Sequence, residues 1–312
     1  WKNIHNPITE DMIFRGENII SREEYYYKTD LSQSRGSSPS IRIRNFHNHI
    51  KKVLFREAVH FLRHNNAQNK VRLLELACGK AQDLYKWYKN SIDLVVGIDI
   101  NADNIENTTN GAQMRYIQTK EKFKNHFMPD VQFLIGDISK NILTKEAFRS
   151  SSTSRQQVYI PCAENIWNKN PKYHLAKKKF NLVSIQFAIH YLFESREKLD
   201  AFIDNVDENL LLGGLFIGTC FDGQTMWNLL RTKLKNEAIF EYVDLQKEEF
   251  NQVLWKVIKN YINREEDGTE HFPNDERSLG HSIMVYFNSI NSLIEEYLVN
   301  IDYLIKRLAE RN

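Results

Sequence analysis

Hydrophobic and polar positions change their period several times along this chain, and each change marks an element. From Ile41 to Arg63, Phe46, Ile50, Val53, Leu54, Ala58, Phe61 and Leu62 recur at intervals of three and four. That spacing predicts an amphipathic helix. Val71, Leu73, Leu74 and Leu76 make a short apolar run of buried-strand length. A tight Cys78-Gly79-Lys80 turn follows, then a helix over Asp83 to Asn90 and a second apolar run from Ile92 to Ile98 that ends on Asp99. A helical region is expected from Asn101 to about Thr119, and a strand at Val131 to Ile135 before Gly136-Asp137. Phe180 to Ala188 predicts a fourth strand, Ser195 to Leu211 an amphipathic helix capped by Gly213-Gly214, and Leu215 to Thr219 a fifth strand. Strands alternating with helices argue for an α/β fold with a mostly parallel sheet and helices on both faces.

Beyond Phe221 the pattern changes. Gln224 to Lys235 reads as a helix, and Ile239–Val243, Val253–Tyr261 and Ser282–Phe287 alternate as strands, with Asp267-Gly268 as a turn. Tyr297 to Leu308 reads as a closing helix. This part is expected to add an antiparallel edge and a lid subregion over about 222–312. Residues 1–40 are polar and form an N-terminal arm ahead of a single domain over 41–312. In the arm, Ser34 to Ser40 is loop-like by composition, and Tyr25-Tyr26-Tyr27 is either a clamp holding the arm or a stacking surface. Ser150 opens a polar excursion that runs to about Lys179.

Composition narrows the picture without deciding it. The chain has 312 residues, 42% of them hydrophobic, which is ample for a real core. Net charge is near +2, so a nucleic-acid surface must be a local patch. Cys78, Cys162 and Cys220 show neither zinc spacing nor a disulfide framework and favour a reducing compartment. No His/Cys/carboxylate cluster has ligand spacing, so no metal is expected. No apolar run reaches the ~20 residues of a membrane helix. The chain opens on Trp1 rather than Met and reads as a piece of something longer.

The chemistry gathers at strand ends. In a βαβ unit the loop after the first strand lies under a ligand, and an acid about 20 residues past its glycine accepts the hydroxyls of a ribose. Gly79 and Asp99 fill those places. The G-x-G-x-x-G spacing of a dinucleotide site is absent, since Ala77 and Gln82 stand where glycines are needed. A nucleoside without a pyrophosphate points to S-adenosylmethionine (SAM). Asp137, just past the third strand, is placed to meet the adenine amino group. The fourth strand's tip carries Gln186, Phe187, His190 and Tyr191, a polar and aromatic group at the ligand crevice. A lone histidine is more often structural; its company here favours function. Arg42, Arg44, Lys51, Lys52 and Arg56 on the first helix are either a solvated face or an edge for phosphates.

At these residues the sequence resembles the messenger-RNA cap guanine-N7 methyltransferases. The resemblance is strongest to the branch found in capping enzymes of large cytoplasmic DNA viruses, the African swine fever virus type first and the poxvirus large subunit next. RNFHNHIKKVLF, LLELACGKAQDLYKW, GIDI, Arg115-Tyr116, GDIS, SIQFAIHYLFES, NLLLGGLFIGTCFDG and EEYLVNIDYLIKRL carry it in order, and HNPITEDMI resembles the viral branch. The resemblance implies Lys51, Glu75, Ala77, Gly79, Asp99, Asp137, Gln186 and Tyr191 around SAM. It implies Arg44, His47, Asn48, Lys80, Lys86, Arg115, His190, Tyr191 and Glu296 around the cap. It also implies S-adenosylhomocysteine as product and no metal. The implied partners are the capped RNA 5′ end, upstream triphosphatase and guanylyltransferase domains on the same polypeptide, and a stimulatory subunit, with no membrane. The implied location is the host cytoplasm, in viral factories, and the virion.

Three departures stand out. Ala77 replaces a family glycine, and Ala81-Gln82 replaces a glycine pair, which predicts weaker SAM binding. His47 stands where the family has asparagine, and the family's last pair of strands, with an aromatic near the cap, has no counterpart before Asn312. Two other readings stay open: a SAM methyltransferase acting on another acceptor, and a SAM-fold module that binds RNA or a partner without turnover.

Overall fold

A computed structural model describes residues 6–7, 41–65, 70–144, 146–148, 179–242, 253–262, 272–287 and 292–311. The Tyr25–Tyr27 triplet, the Ser34–Ser40 stretch, nearly all of the excursion after Ser150 and the Asp267-Gly268 turn lie outside the described residues. The chain divides into two compact units: Ile50–Ile189 with Glu197–Thr219, and the described residues of Trp1–His49, His190–Arg196 and Cys220–Asn312.

The first unit is built on a parallel sheet. Its strands are β2 (Arg72–Leu76), β3 (Leu94–Asp99), β4 (Asp130–Ile135), β5 (Phe180–Gln186) and β6 (Leu210–Thr219), in the order β4-β3-β2-β5-β6. All four pairings are parallel. The central strands are buried along nearly their whole length, as strands covered on both faces must be. The connecting helices are α1 (Ile41–Asn65), α2 (Leu84–Lys89), α3 (Ala102–Glu106), α4 (Ala112–Lys122) and α5 (Arg196–Asn209). The strand order reverses between β2 and β5, which puts a ligand crevice outside their carboxyl ends.

Several expectations need correction. The helical region after Asp99 is two helices, because the chain turns tightly at Gly111, where a Cβ would lie 2.7 Å from the Asn107 backbone. Gly213-Gly214 is not a helix cap. The α5 helix ends at Asn209, β6 starts at once, and Gly213 (φ +78°) sits in a bulge between the pairs Phe180–Leu210 and Leu182–Leu215. On α1 the buried face is Lys51, Phe55, Ala58, Val59 and Leu62, while Phe46, Ile50 and Phe61 are exposed. The apolar stripe read from the sequence lies to one side of the face that packs, because Phe55 and Val59 anchor it to the core instead.

The second unit holds an antiparallel sheet of its own rather than an edge added to the parallel one. Its strands are β1 (Asn6–Pro7), β7 (Glu237–Tyr242), β8 (Val253–Lys259), β9 (Ser282–Phe287) and β10 (Leu293–Tyr297), paired in the order β1-β7-β8-β9-β10. The helices α6 (Gly223–Leu230) and α7 (Ile301–Ala309) accompany it. The core stacks Trp227 between Tyr261 and Phe272, with His281 edge-on, over Ile239, Val257 and Ile283. The closing helix starts four residues later than expected. Tyr297 belongs to β10, which pairs residue for residue with β9, and Asn300 caps α7 by accepting from the Tyr303 N–H. Among the described residues no helix is long and apolar enough to cross a membrane.

Candidate active site

The loop after β2 is held by hydrogen bonds from its own backbone. Cys78 N–H donates to the Ile98 carbonyl (2.9 Å), and Gly79 N–H donates to Asp99 Oδ2 (2.7 Å). This draws the loop onto the end of β3. The contact is close enough that a Cβ at Gly97 would meet Cys78 Sγ and the Phe133 ring, each at 2.9 Å. Three residues of the loop take the left-handed conformation: Ala77 (φ +54°), Gly79 (φ +52°) and Ala81 (φ +52°). The two alanines that depart from the family pattern thus stand at positions that favour glycine.

Asp99 is buried, and Asn101 N–H and Asn104 Nδ2 also donate to its Oδ1, each at 3.0 Å. Burial pushes its carboxyl above the usual range, against the pull of those bonds. With three donors on about four lone-pair sites, Oδ2 retains one acceptor position for a hydroxyl. Across the next loop, Gly136 N–H donates to the Asp99 carbonyl, and Asp137 Oδ1 accepts from both N–H and Oγ of Ser139. Asn205 of α5 holds that loop from the other side. Its Nδ2 donates to the carbonyls of Ile138 and Lys140, and its Oδ1 accepts from Ile142 N–H.

A second cluster lies at the ends of β2 and β5. Asp83 takes both Lys51 Nζ (2.8 Å) and Lys86 Nζ (2.7 Å), all three side chains being nearly covered. Glu75 lies buried beneath, accepting from Ser184 Oγ at 3.2 Å, and its carboxyl is pushed up to about 8, first by burial and then by the Asp83 charge. Gln186 continues the network: its Nε2 donates to Ser184 Oγ and its Oε1 accepts from Thr219 Oγ1, both at 2.9 Å. With Glu75 neutral, Asp83 is the carboxylate that Lys51 and Lys86 share. Phe187, next along, takes φ +55°, a strained position for a bulky residue at a strand tip, and its ring lies 5.9 Å from Lys51 Nζ.

Lys80 and Arg115 form a third group. Lys80 Nζ donates to Asn110 Oδ1 (2.7 Å) and pairs with Asp103 (3.2 Å), while Arg115 Nε donates to the Lys80 carbonyl (2.7 Å). In the second unit, His190 and Tyr191 sit on a short 3₁₀ turn and meet edge to face at 4.1 Å. His190 Nε2 lies 3.7 Å from Glu296 Oε1. Glu296 is buried on β10, its Oε2 has no hydrogen-bond partner among the described residues, and burial pushes its carboxyl up to about 8. Arg44, His47 and Asn48 line the first turns of α1, the first two half-buried and Asn48 exposed. No group of three His, Cys, Asp or Glu among the described residues is gathered as a metal site.

Compared with known proteins, residues 11–307 match the mRNA (guanine-N(7))-methyltransferase domain. The chain belongs to this family. A probable mRNA-capping enzyme of Acanthamoeba polyphaga mimivirus is 26% identical over the whole of the chain, which spans 25% of that protein. The mRNA cap guanine-N(7) methyltransferase of Lodderomyces elongisporus is 33% identical over 70% of the chain and 36% of its own length. That of Schizosaccharomyces pombe is 32% identical over 64% and 45% respectively. The chain therefore spans a quarter to under half the length of these relatives. Its parallel-sheet unit has the mostly parallel α/β architecture that the sequence pattern predicts, the Rossmann-like fold of this SAM-dependent family.

Among the expected residues, the structure gathers Lys51, Glu75, Lys86 and Gln186 in one network, Gly79 with Asp99 in another, Lys80 with Arg115, and His190 and Tyr191 with Glu296. Sequence reasoning missed Asp83, Ser184 and Thr219. Asp83 had a signal, an acid three residues before Lys86 on one helix face. Ser184, a hydroxyl inside the apolar run FNLVSIQFA, had a weaker one, and the backbone strain at Phe187 had none.

Proposed function

We propose that this chain transfers the methyl group of SAM to N7 of the terminal guanine of GpppN-capped mRNA. It does so within a larger capping enzyme of the kind large cytoplasmic DNA viruses encode, African swine fever virus and poxvirus types included. Triphosphatase and guanylyltransferase domains on the same polypeptide and a stimulatory subunit belong to that reading. The observation that carries it is Glu296: a buried carboxylate with an unpartnered oxygen, beside a histidine and a tyrosine, in a chain of this family.

The residues of the first unit fit the methyl donor. Glu75, buried beside Trp87, suits the donor's ammonium, Lys51 suits its carboxylate, and the remaining lone pair of Asp99 suits a ribose hydroxyl. Asp137 and Gln186 complete this assignment, with Tyr191 shared between donor and cap. When bound, SAM supplies an electrophilic methyl on a sulfonium, a good leaving group. Guanine N7 carries a lone pair and no proton, so the protein supplies no nucleophile and no general base. Its contribution is position: well-oriented bound reactants gain about 7–11 kcal/mol. Glu296 accepts from the guanine N1 and N2 hydrogens, and His190 and Tyr191 hold the ring in plane. A carboxylate and aromatic faces also favour the positive charge that develops on guanine. Arg44, His47, Asn48, Lys80, Lys86 and Arg115 are assigned to the cap and its triphosphate bridge. The test is transfer of labelled methyl to GpppA-capped RNA, with m7GpppA-capped RNA as control. Signal on the first alone is expected; equal signal on both means another acceptor.

A further inference from the structure

A basic and aromatic surface on the first unit is left unused by the chemistry above. The α2 helix exposes Tyr85, and Phe123, which ends α4, stacks on Tyr88 with ring centroids 4.8 Å apart and planes 22° apart. Tyr85 approaches both rings, at 5.9 Å from Tyr88 and 6.4 Å from Phe123. Lysines attend each ring. Lys89 Nζ lies 5.3 Å from the centroids of Tyr85 and Tyr88, and Lys122 Nζ lies 5.6 Å from that of Phe123. Lys124, exposed beside them, pairs loosely with Glu121 at 3.6 Å.

This is the composition of a single-strand platform: π-faces for bases and ammonium groups for the backbone. A core function does not explain it, because Tyr85 is 54% exposed and both lysines are exposed. The lysines resting on the rings do not block it either. An exposed cation–π contact is worth about a threefold factor in an equilibrium. A base stacked on an aromatic ring is worth about tenfold or more. An arriving base therefore displaces the ammonium, which is then free to meet the neighbouring phosphate. With a net charge of only +2 on the chain, a polyanion depends on such local concentrations of lysines.

We infer that the Tyr85–Tyr88–Phe123 surface, with Lys89 and Lys122, binds single-stranded RNA. On the proposed function, this is the transcript body beyond its cap. The choice of RNA rests on that function. Binding by stacking is sequence-tolerant, since every base has a π-face.

Two measurements on the full chain test this separately from cap methylation. The first is fluorescence anisotropy with a labelled, uncapped 20-nucleotide RNA, which needs no methyl transfer. Tyr85→Ala is expected to weaken binding about tenfold, and Tyr85→Phe to keep it. Lys89→Glu with Lys122→Glu is expected to lower the salt slope by about 1.4, two phosphate contacts on a single strand. The second compares GpppA dinucleotide with a GpppA-capped 20-mer as methyl acceptors. Tyr85→Ala should raise KM for the 20-mer alone. RNA affinity unchanged in both variants overturns the inference. So does an acidic peptide of equal charge competing as well as RNA, which would mark a surface for a protein. If neither acceptor is methylated while RNA binding depends on Tyr85, the surface stands and the cap reading fails.

Discussion

His190 Nε2 and Glu296 Oε1 face each other at 3.7 Å, inside ion-pair range and beyond hydrogen-bond reach. Both side chains are at most one-tenth exposed. A carboxyl buried in this way, with its pKa pushed up to about 8, is largely protonated at neutral pH. To accept from guanine it must ionise. kcat/KM on capped RNA should therefore rise with pH up to about 8 and then level. Glu296→Ala should lose about a hundredfold in kcat/KM, comparable to losing one preorganised polar contact to developing charge, with SAM binding intact. Loss of SAM binding in step with activity would make Glu296 structural.

Glu75 gives a pH dependence to the other ligand. Its carboxyl is also pushed up to about 8, and an ammonium beside Oε2 draws it down, so binding releases a proton. SAM affinity should rise between pH 6 and 8. Calorimetry in two buffers of different ionisation enthalpy reads the released proton directly, and identical heats at pH 7 would contradict the assignment.

The same two carboxyls set a stability slope. Each retains its proton in the folded chain above the pH at which the unfolded chain loses it, near 4.5. The folded state then binds more protons, and stability falls as pH rises from about 4.5 to about 8. Glu296→Gln should flatten part of that decline. Melting curves at pH 5 and 8 for both proteins check it, and parallel declines would show that Glu296 is not titrating there.

Asp83 holds two buried ammonium groups. Asp83→Asn removes the carboxylate that both share, and the expected loss is about 3 kcal/mol in denaturant unfolding. A change within about 0.5 kcal/mol, the scale of an ordinary surface substitution, would mean that Lys51 and Lys86 find water instead.

Ala77 and Ala81 occupy a conformation that costs a non-glycine residue about 1 kcal/mol each. Glycine relieves that strain but loses more backbone entropy on folding, so the melting temperature should change little. If the extra methyl groups narrow the loop, Ala77→Gly with Ala81→Gly lowers the dissociation constant for SAM several-fold. A calorimetric value unchanged by the pair would mean that the loop already fits its ligand.

The parallel unit was legible because its signals are local. Apolar runs of strand length, Gly79 and the acid at Asp99 all lie within thirty residues. What sequence reasoning lost were features set by packing at a distance. Gly213-Gly214 follows an amphipathic helix as a cap would, yet pairing with β5 claims those residues for a strand. Tyr297 continues the helical pattern of α7, yet β9 takes it as a partner. On α1, Phe46, Ile50 and Phe61 fit the period but face outward, because the period alone does not say which of two adjoining stripes meets the sheet. The candidate site residues were named from resemblance and strand position. Asp83, which lies 32 residues from Lys51 and pairs with it as well as with Lys86, required coordinates.

Asn205 fastens the loop that carries Asp137, and Ala147 accepts from Asp137 N–H just before the segment outside the described residues begins. Phe148 is buried against Gly136, and Phe180 opens β5. The place of Asp137 is thus set by a helix side chain and a buried phenylalanine as well as by its own strand. A substitution at Asn205 or Phe148 therefore reaches that carboxylate without touching it, and either position can tune the site from outside.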